Sequence, residues 1–395
     1  MKVFLKILFG SVLCLLLAYV PVSGESINGD NYSSLDIPVS EFGFRGIGED
    51  GKGTLYVSSL LKNGVFLLPN GCRTQECSSF IELSPPLSAP GWVITLPYGG
   101  AFVLQRFGDR IVFVPKNCME SACTKTILLP NRPSYPSGGE FDPSSGSTWV
   151  SDELSNQIGI LPEHCYDAGC MTFITLPSKD SHPSGLANDH DNGFWVTEKK
   201  GDRIAFIPRR CRTTSCVKEY PIPSRSIKLR PFSPVSLGKD RIAFLVGKGS
   251  AVVIGDLRSG TLAFQFIPVG EKIGKATRIL GGDTDSVVIA TKGEYTHVGR
   301  LRLSKSCLAS PDGMRPDCAD FKSIPIPRGE PFGLSRGRHG YVWITLRNRD
   351  EILRVQLEGP CLSSGRSFPS SCFTTLSFTR SETLYHRKYH QEVSQ

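Results

Sequence analysis

Asp152 and Glu198 stand one repeat apart, each three residues after a tryptophan, in Trp149-Val-Ser-Asp and Trp195-Val-Thr-Glu. Two carboxylates presented from equivalent places on neighbouring units could share a hard cation such as Ca2+ or Mg2+, both of which take oxygen ligands. His182 and Glu330 each precede the proline that opens a unit. They could add an acid–base group or a further ligand to that pair. The competing role for all four is structural: hydrogen bonds to loop backbone, or plain contact with solvent.

The cysteines carry a different chemistry. Of thirteen, Cys14 lies in the apolar start of the chain, and the other twelve fall into local pairs. The pairs are Cys72 with Cys77, Cys118 with Cys123, Cys165 with Cys170, Cys211 with Cys216, Cys307 with Cys318, and Cys361 with Cys372. An even count in an exported chain reads as disulfides. A zinc site would need two pairs brought together, whereas each pair here stands alone in its own repeat.

The elements that must position these residues recur along the chain. Short strand-like segments end at Pro85, Pro130, Pro177, Pro223, Pro268 and Pro327, with gaps of 45, 47, 46, 45 and 59 residues. A period in the mid-forties marks a repeat whose units cannot bury their own faces. The stretch from His182 to Pro223 shows one unit clearly: PSGLAN, the turn DHDNG, FWVTE, RIAFIP, the cysteine pair, then KEYPIP. The segments are short, rich in Val, Ile, Phe and Trp, and bounded by Gly, Asp and Asn, as strands are. No segment sustains a helical apolar period. Four antiparallel strands per unit describe a propeller blade.

The second strand recurs as LYVSS, AFVLQ, TWVSD, FWVTE, AFLVG, VVIAT and VWITL, which counts seven blades, with six as the alternative. The expected bounds are 41–85, 86–130, 131–177, 178–223, 224–268, 269–327 and 328–380. A ring position, three residues after each blade's aromatic place, holds Ser59, Gln105, Asp152, Glu198, Gly247, Thr291 and Leu346. Blade 5 has no cysteines, and Gly255 to Gly260 is expected to make a tight turn in their place. Leu35 to Val39 resembles a fourth strand and is expected to help close the ring against the last blade. Trp149, Trp195 and Trp343 share one repeat position and are expected to pack between blades.

The chain ends point outward from the cell. Residues 1–24 read as a signal peptide: Lys2 and Lys6, an apolar run from Ile7 to Val20, then small residues at Val22-Ser23-Gly24. Residues 25–380 form one propeller domain, and 381–395 a polar tail. The mature chain should carry no membrane span and be secreted. Asn31-Tyr-Ser is its one glycosylation sequon. With Lys2 and Lys6 removed, 43 basic residues face 37 acidic ones, a net of +6. Ten of the basic residues lie in 199–230, opposed only by Asp202 and Glu219, a segment that could hold a sulfated glycan or other polyanion. Nucleic acid is not expected, since no recognition motif is present. Nucleophile-elbow, HExxH, P-loop and EF-hand patterns are absent too.

PSGLANDHDNGFWVTEKKGDRIAFI resembles the repeat of the streptogramin B lyase (virginiamycin B lyase) family and of NHL propellers. PSGGEFDPSSGSTWVSDELSNQIGI at Pro136 matches nearly as well, and EPFGLSRGRHGYVWITLRNRDEI at Glu330 in part. The resemblance implies a propeller whose channel mouth, in the lyases, opens a cyclic depsipeptide with Mg2+, His and Glu. A His commonly stands inside the Pro-x-Gly opening of that family. This chain has Ser137, Ser184 and Phe332 there, with His182 one place before its proline. The family's glutamate matches Glu198, and Asp152 occupies the place in blade 3. His190 is expected on the opposite face, and His164 at the rim beside Cys165. The expectation is an extracellular binding propeller that meets a protein, glycan or small molecule at its channel face. The alternative is a Ca2+- or Mg2+-dependent lyase or lactone hydrolase.

Overall fold

The computed structural model describes residues 41–378 except 73, 191, 224–227, 239, 270–273, 294–295, 305–312, 315–318, 327–328, 358–359 and 364–371. The signal peptide, Asn31, the Leu35–Val39 segment and the polar tail lie outside the described residues.

Seven sheets follow one another in chain order, each with four antiparallel strands. Blade 1 runs from Phe44–Glu49 to Ser79–Glu82, and blade 7 from Pro331–Arg336 to Phe373–Ser377. Burial follows the order of strands. In blade 4 the second strand, Gly193–Glu198, is buried at every residue, whereas the outer strand, Lys218–Pro221, is half-buried to exposed. The β-branched and aromatic residues read from the sequence therefore sit where a blade is covered on both faces. Trp149 stacks on Phe194 across the gap between blades 3 and 4, with ring centroids 4.2 Å apart. Trp195 is buried in the seam between blades 4 and 5, and Trp343 in that between blades 7 and 1.

One repeated residue ties each of blades 1 to 4 to the next. Asn63, Asp109, Asn156 and Asp202 begin the third strand at φ of 50°, 51°, 55° and 50°, a left-handed conformation that Asn and Asp tolerate best. Each side-chain oxygen then accepts a backbone amide from the following connection: Ser88 at 2.9 Å, Ser134 at 2.7 Å, Ser181 at 2.9 Å and Arg230 at 2.7 Å. Asp350 does the same for blade 7, but its target is the start of the ring. Its two oxygens accept Glu41 N at 2.9 Å and Phe42 N at 3.0 Å. Phe42, Phe44, Phe66 and Phe378 pack beside that latch, with neighbouring centroids 5.2 to 6.1 Å apart. Trp343 Nε1 adds a hydrogen bond to Glu49 at 2.6 Å.

Inner strands approach each other closely at the glycine of Pro-x-Gly. A Cβ on Gly46 would lie 2.2 Å from the Gly91 carbonyl oxygen, so no larger residue fits that seam.

Five disulfides are formed among the described residues: Cys72–Cys77, Cys118–Cys123, Cys165–Cys170, Cys211–Cys216 and Cys361–Cys372. Each lies between the third and fourth strands, as the spacing predicts. The sixth expected pair, Cys307 with Cys318, differs from these five in that both of its cysteines lie outside the described residues. The pairing of Cys318 with Cys307 therefore remains an expectation from spacing. In blades 1 to 4 the first cysteine's amide bonds back to a proline carbonyl three residues earlier, which turns the chain into the staple. Blade 5 differs from the expected Gly255–Gly260 turn. Strands Ala251–Arg258 and Thr261–Pro268 run on, and the turn narrows to Ser259-Gly260, both at positive φ. That is the backbone twist a two-residue hairpin requires. The outer edge of blade 5 gains a fifth, parallel strand, Gly313–Met314, supplied by the long insertion of blade 6.

Candidate functional site

The central channel encloses a cavity of ≈ 740 Å³, walled by inner strands from several blades. The ring position closes the sheets around one mouth, and the structure turns most of its side chains into the blades. Ser59, Gln105, Asp152, Glu198, Thr291 and Leu346 are all buried. Gly247 stands apart, because its strand ends one residue earlier, at Val246.

Asp152 accepts the Tyr135 amide at 2.8 Å and the Ser155 amide at 3.4 Å, so its carboxylate caps the loops around it. Glu198 has no solvent exposure and accepts Arg203 Nε at 2.9 Å. Burial pushes the Glu198 carboxyl up to about 7, against the opposing pull of Ser181 and Arg203. His182 and Glu153 approach to 3.6 Å, and Lys199 reaches the same Glu153 oxygen at 3.0 Å. Glu330 accepts Lys292 at 2.6 Å and Arg347 at 2.5 Å. Burial opposes its ionisation, but those two hydrogen bonds outweigh it and hold Glu330 below the usual carboxylate range. Among the described residues, no three His, Cys, Asp or Glu side chains gather as a metal-binding group.

The Pro-x-Gly serines are engaged as well. Ser137 Oγ donates to the Pro183 carbonyl at 3.1 Å, and Ser184 Oγ to the Pro231 carbonyl at 3.3 Å. Both therefore stitch one inner strand to the next. His190 sits exposed in its strand turn, and His164 is exposed at the rim, 3.6 Å from Glu163.

The basic segment 199–230 is divided. Lys199, Lys200, Lys228 and Arg230 line a small cavity beside His182 and Glu153. Arg203 turns inward to Glu198, and Arg209 pairs with Asp142 at 3.1 Å.

What the sequence reading missed is a set of arginines at the channel. Arg106, Glu153, Lys199 and Arg347 occupy one place in four blades, each donating its backbone amide to the carbonyl just before the inner strand. That place directly follows the ring position, so its basic bias was available from the repeat alignment. Two further arginines break the Pro-x-Gly pattern: Arg45 stands at its middle place in blade 1, and Arg278 at its glycine place in blade 6. Phe332 holds the middle place in blade 7, with Arg45 and Arg278 4.6 and 4.7 Å from its ring centroid.

Neither a protein-family model nor a curated protein sequence matches the chain. Among solved structures, a streptogramin B lyase superposes with a TM-score of 0.61 at 20% identity, over 80% of this chain and 93% of its own. A hydrazine synthase from Kuenenia stuttgartiensis gives 0.61 at 14% identity, over 82% and 99%. YCF48 bound to a D1 peptide gives 0.54 at 10% identity, over 85% and 100%. Likeness at these identities defines the architecture alone: an all-β, seven-bladed propeller.

Proposed function

We propose that this chain is an extracellular binding propeller that receives its ligand at the channel face. The carrying observation is the engagement of every acid and imidazole named above for metal or acid–base work. Asp152 holds backbone amides, Glu198 holds Arg203 through Oε2 while its Oε1 is buried without a hydrogen-bond partner among the described residues, Glu330 holds two cations, and His182 lies against Glu153. A metal-dependent enzyme needs several ligands free to converge. A binding site needs a concave, largely preformed pocket with a few polar groups, and the channel supplies one. Five disulfides suit an oxidising compartment. No helix among the described residues is long and apolar enough to cross a membrane. The fold by itself favours neither class, since its structural neighbours include a lyase and a peptide-bound propeller.

The alternative, a Ca2+- or Mg2+-dependent lyase or lactone hydrolase, rests on Glu198, whose raised carboxyl suits acid–base work. It requires Glu198 or Asp152 to turn from its present partners toward the channel. Thermal melts of the secreted protein with Ca2+ or Mg2+, repeated on Glu198→Ala, separate the two readings. The binding reading expects no metal response in either protein. A metal-dependent rise in Tm that disappears in Glu198→Ala would overturn it.

A further inference from the structure

Three arginines meet at the channel with no acid between them. Arg45 comes from the inner strand of blade 1, Arg278 from that of blade 6, and Arg106 from the turn after the second strand of blade 2. A Cβ on Gly91 would stand 3.2 Å from Arg106 Nε, so the glycine leaves room for this guanidinium beside the inner strand. None of the three forms an ion pair among the described residues. The one acceptor found for any of their guanidinium groups is the Thr277 carbonyl, 3.3 Å from Arg278 Nη1. The Nε atoms of Arg106 and Arg278 are buried without a partner. The acids nearby are held elsewhere: Glu330 by Lys292 and Arg347, Glu153 by Lys199, Glu49 by Trp343 Nε1 and Glu140 by the Asn188 amide.

Aromatic rings explain how such a group is held, and also what it leaves open. Arg45 and Arg278 stack on Phe332, Arg278 also lies 5.6 Å from the centroid of Trp92, and Arg106 lies 5.5 Å from that of Tyr135. Stacking uses the face of a guanidinium. Its five N–H donors point outward in the plane, in a fork that matches a carboxylate, sulfate or phosphate. Burial, with the other guanidiniums as neighbours, pushes Arg45 down to about 10 and Arg278 to about 9, so both remain cations at neutral pH. Like charges gathered this way repel each other, and an anion placed among them removes that repulsion.

We infer that the channel contains a built site for the oxyanion of a small ligand, formed by Arg106 and Arg278 at the cavity wall, with Arg45 adding its charge from beside Phe332 and the ligand's adjoining apolar part resting on Trp92. The inference rests on the channel-face reading and names the chemistry of its ligand. A cavity of ≈ 740 Å³ is the size of an ordinary small-molecule pocket.

The test is calorimetric titration of the secreted protein at constant ionic strength, with tryptophan fluorescence reporting on Trp92. Phenyl sulfate, phenyl phosphate and phenylacetate distinguish the oxyanions, and benzyl alcohol is the neutral probe. Arg278→Gln and Arg106→Gln remove the site's charge, Arg278→Lys keeps charge without the fork, and Arg258→Gln is a charge control at the outer hairpin. The expected result is saturable binding of at least one phenyl anion, tenfold or more weaker in Arg278→Gln and Arg106→Gln. Arg278→Lys should be intermediate and Arg258→Gln unchanged. Urea midpoints show that each variant keeps its fold, since Arg278→Gln gives up its ring contacts and the Thr277 hydrogen bond, and Arg106→Gln its contact with Tyr135, while charge repulsion is relieved. Equal binding of benzyl alcohol, or unchanged anion binding in Arg278→Gln, would overturn the arginine site while leaving the channel a binding face. Absence of any anion binding to wild type would overturn it as well. The metal melts decide separately whether the channel-face reading stands.

Discussion

Asp350→Ala should loosen the ring at the one place where its ends meet. The carboxylate accepts two backbone amides, Glu41 N at 2.9 Å and Phe42 N at 3.0 Å, in a partly buried setting. A hydrogen bond to a charged group contributes about 1.5–3 kcal/mol, and partial exposure places these at the lower end, for a loss of about 3 kcal/mol together. Urea unfolding followed by tryptophan fluorescence reads the effect directly. With a slope of about 3 kcal/mol/M, the midpoint should fall by about 1 M. Asp202→Ala is the internal control, because the same repeat position there accepts a single amide, Arg230 N at 2.7 Å, at an exposed site. Its loss should be about 1 kcal/mol. Asp350→Asn keeps one acceptor and should fall between the two. If Asp350→Ala and Asp202→Ala shift the midpoint equally, and by less than about 0.2 M at that slope, the latch does not close the ring. The aromatic seam of Phe42, Phe44, Phe66 and Phe378 would then hold it, with the Trp343–Glu49 hydrogen bond.

Other outcomes follow from the same geometry. Glu198, raised by burial to about 7, keeps a proton in the native state that the unfolded chain releases near pH 4.5. Its contribution to stability is therefore greatest below pH 4.5 and is lost as pH rises to about 7, by about 2–3 kcal/mol. Glu198→Gln should accordingly match wild type near pH 4 and exceed it at pH 8, measured by urea midpoints across pH. Gly46→Ala drives a Cβ to 2.2 Å from the Gly91 oxygen and should cost about 1–3 kcal/mol by separating the inner strands of blades 1 and 2. Replacing Cys165 and Cys170 together with serine should cost about 2 kcal/mol by loop entropy, read as a lower Tm.

Much of the architecture was legible because a blade is a local object. Trp195-Val-Thr-Glu alternates between two buried faces, and the Asp-Arg-Ile that follows announces the left-handed latch and the third strand. The latch itself was visible only as a recurring Asn or Asp, since its acceptor role depends on a connection about 25 residues away. The fifth strand of blade 5 was hidden for a similar reason: Gly313-Met314 carries no periodicity and finds its partner only in space. Asp152 and Glu198 show the limit for the site. Residue type and spacing place both at the mouth, but spacing does not say which way a side chain turns at a strand end. Here burial against Tyr135, Ser155 and Arg203 decides. Arg45, Arg106 and Arg278 come from three different blades and from three different places in the repeat. Aligning the repeats to find what is common therefore sets aside the residues that meet in the channel.

Whether the channel binds an anion through its arginines can be seen by anomalous diffraction from a crystal soaked in selenate. A selenium peak is expected inside the channel, within hydrogen-bond distance of Arg278 and at least one of Arg45 and Arg106. A soaked crystal whose channel holds no peak, while selenate occupies other basic sites such as the cavity beside His182, would contradict it.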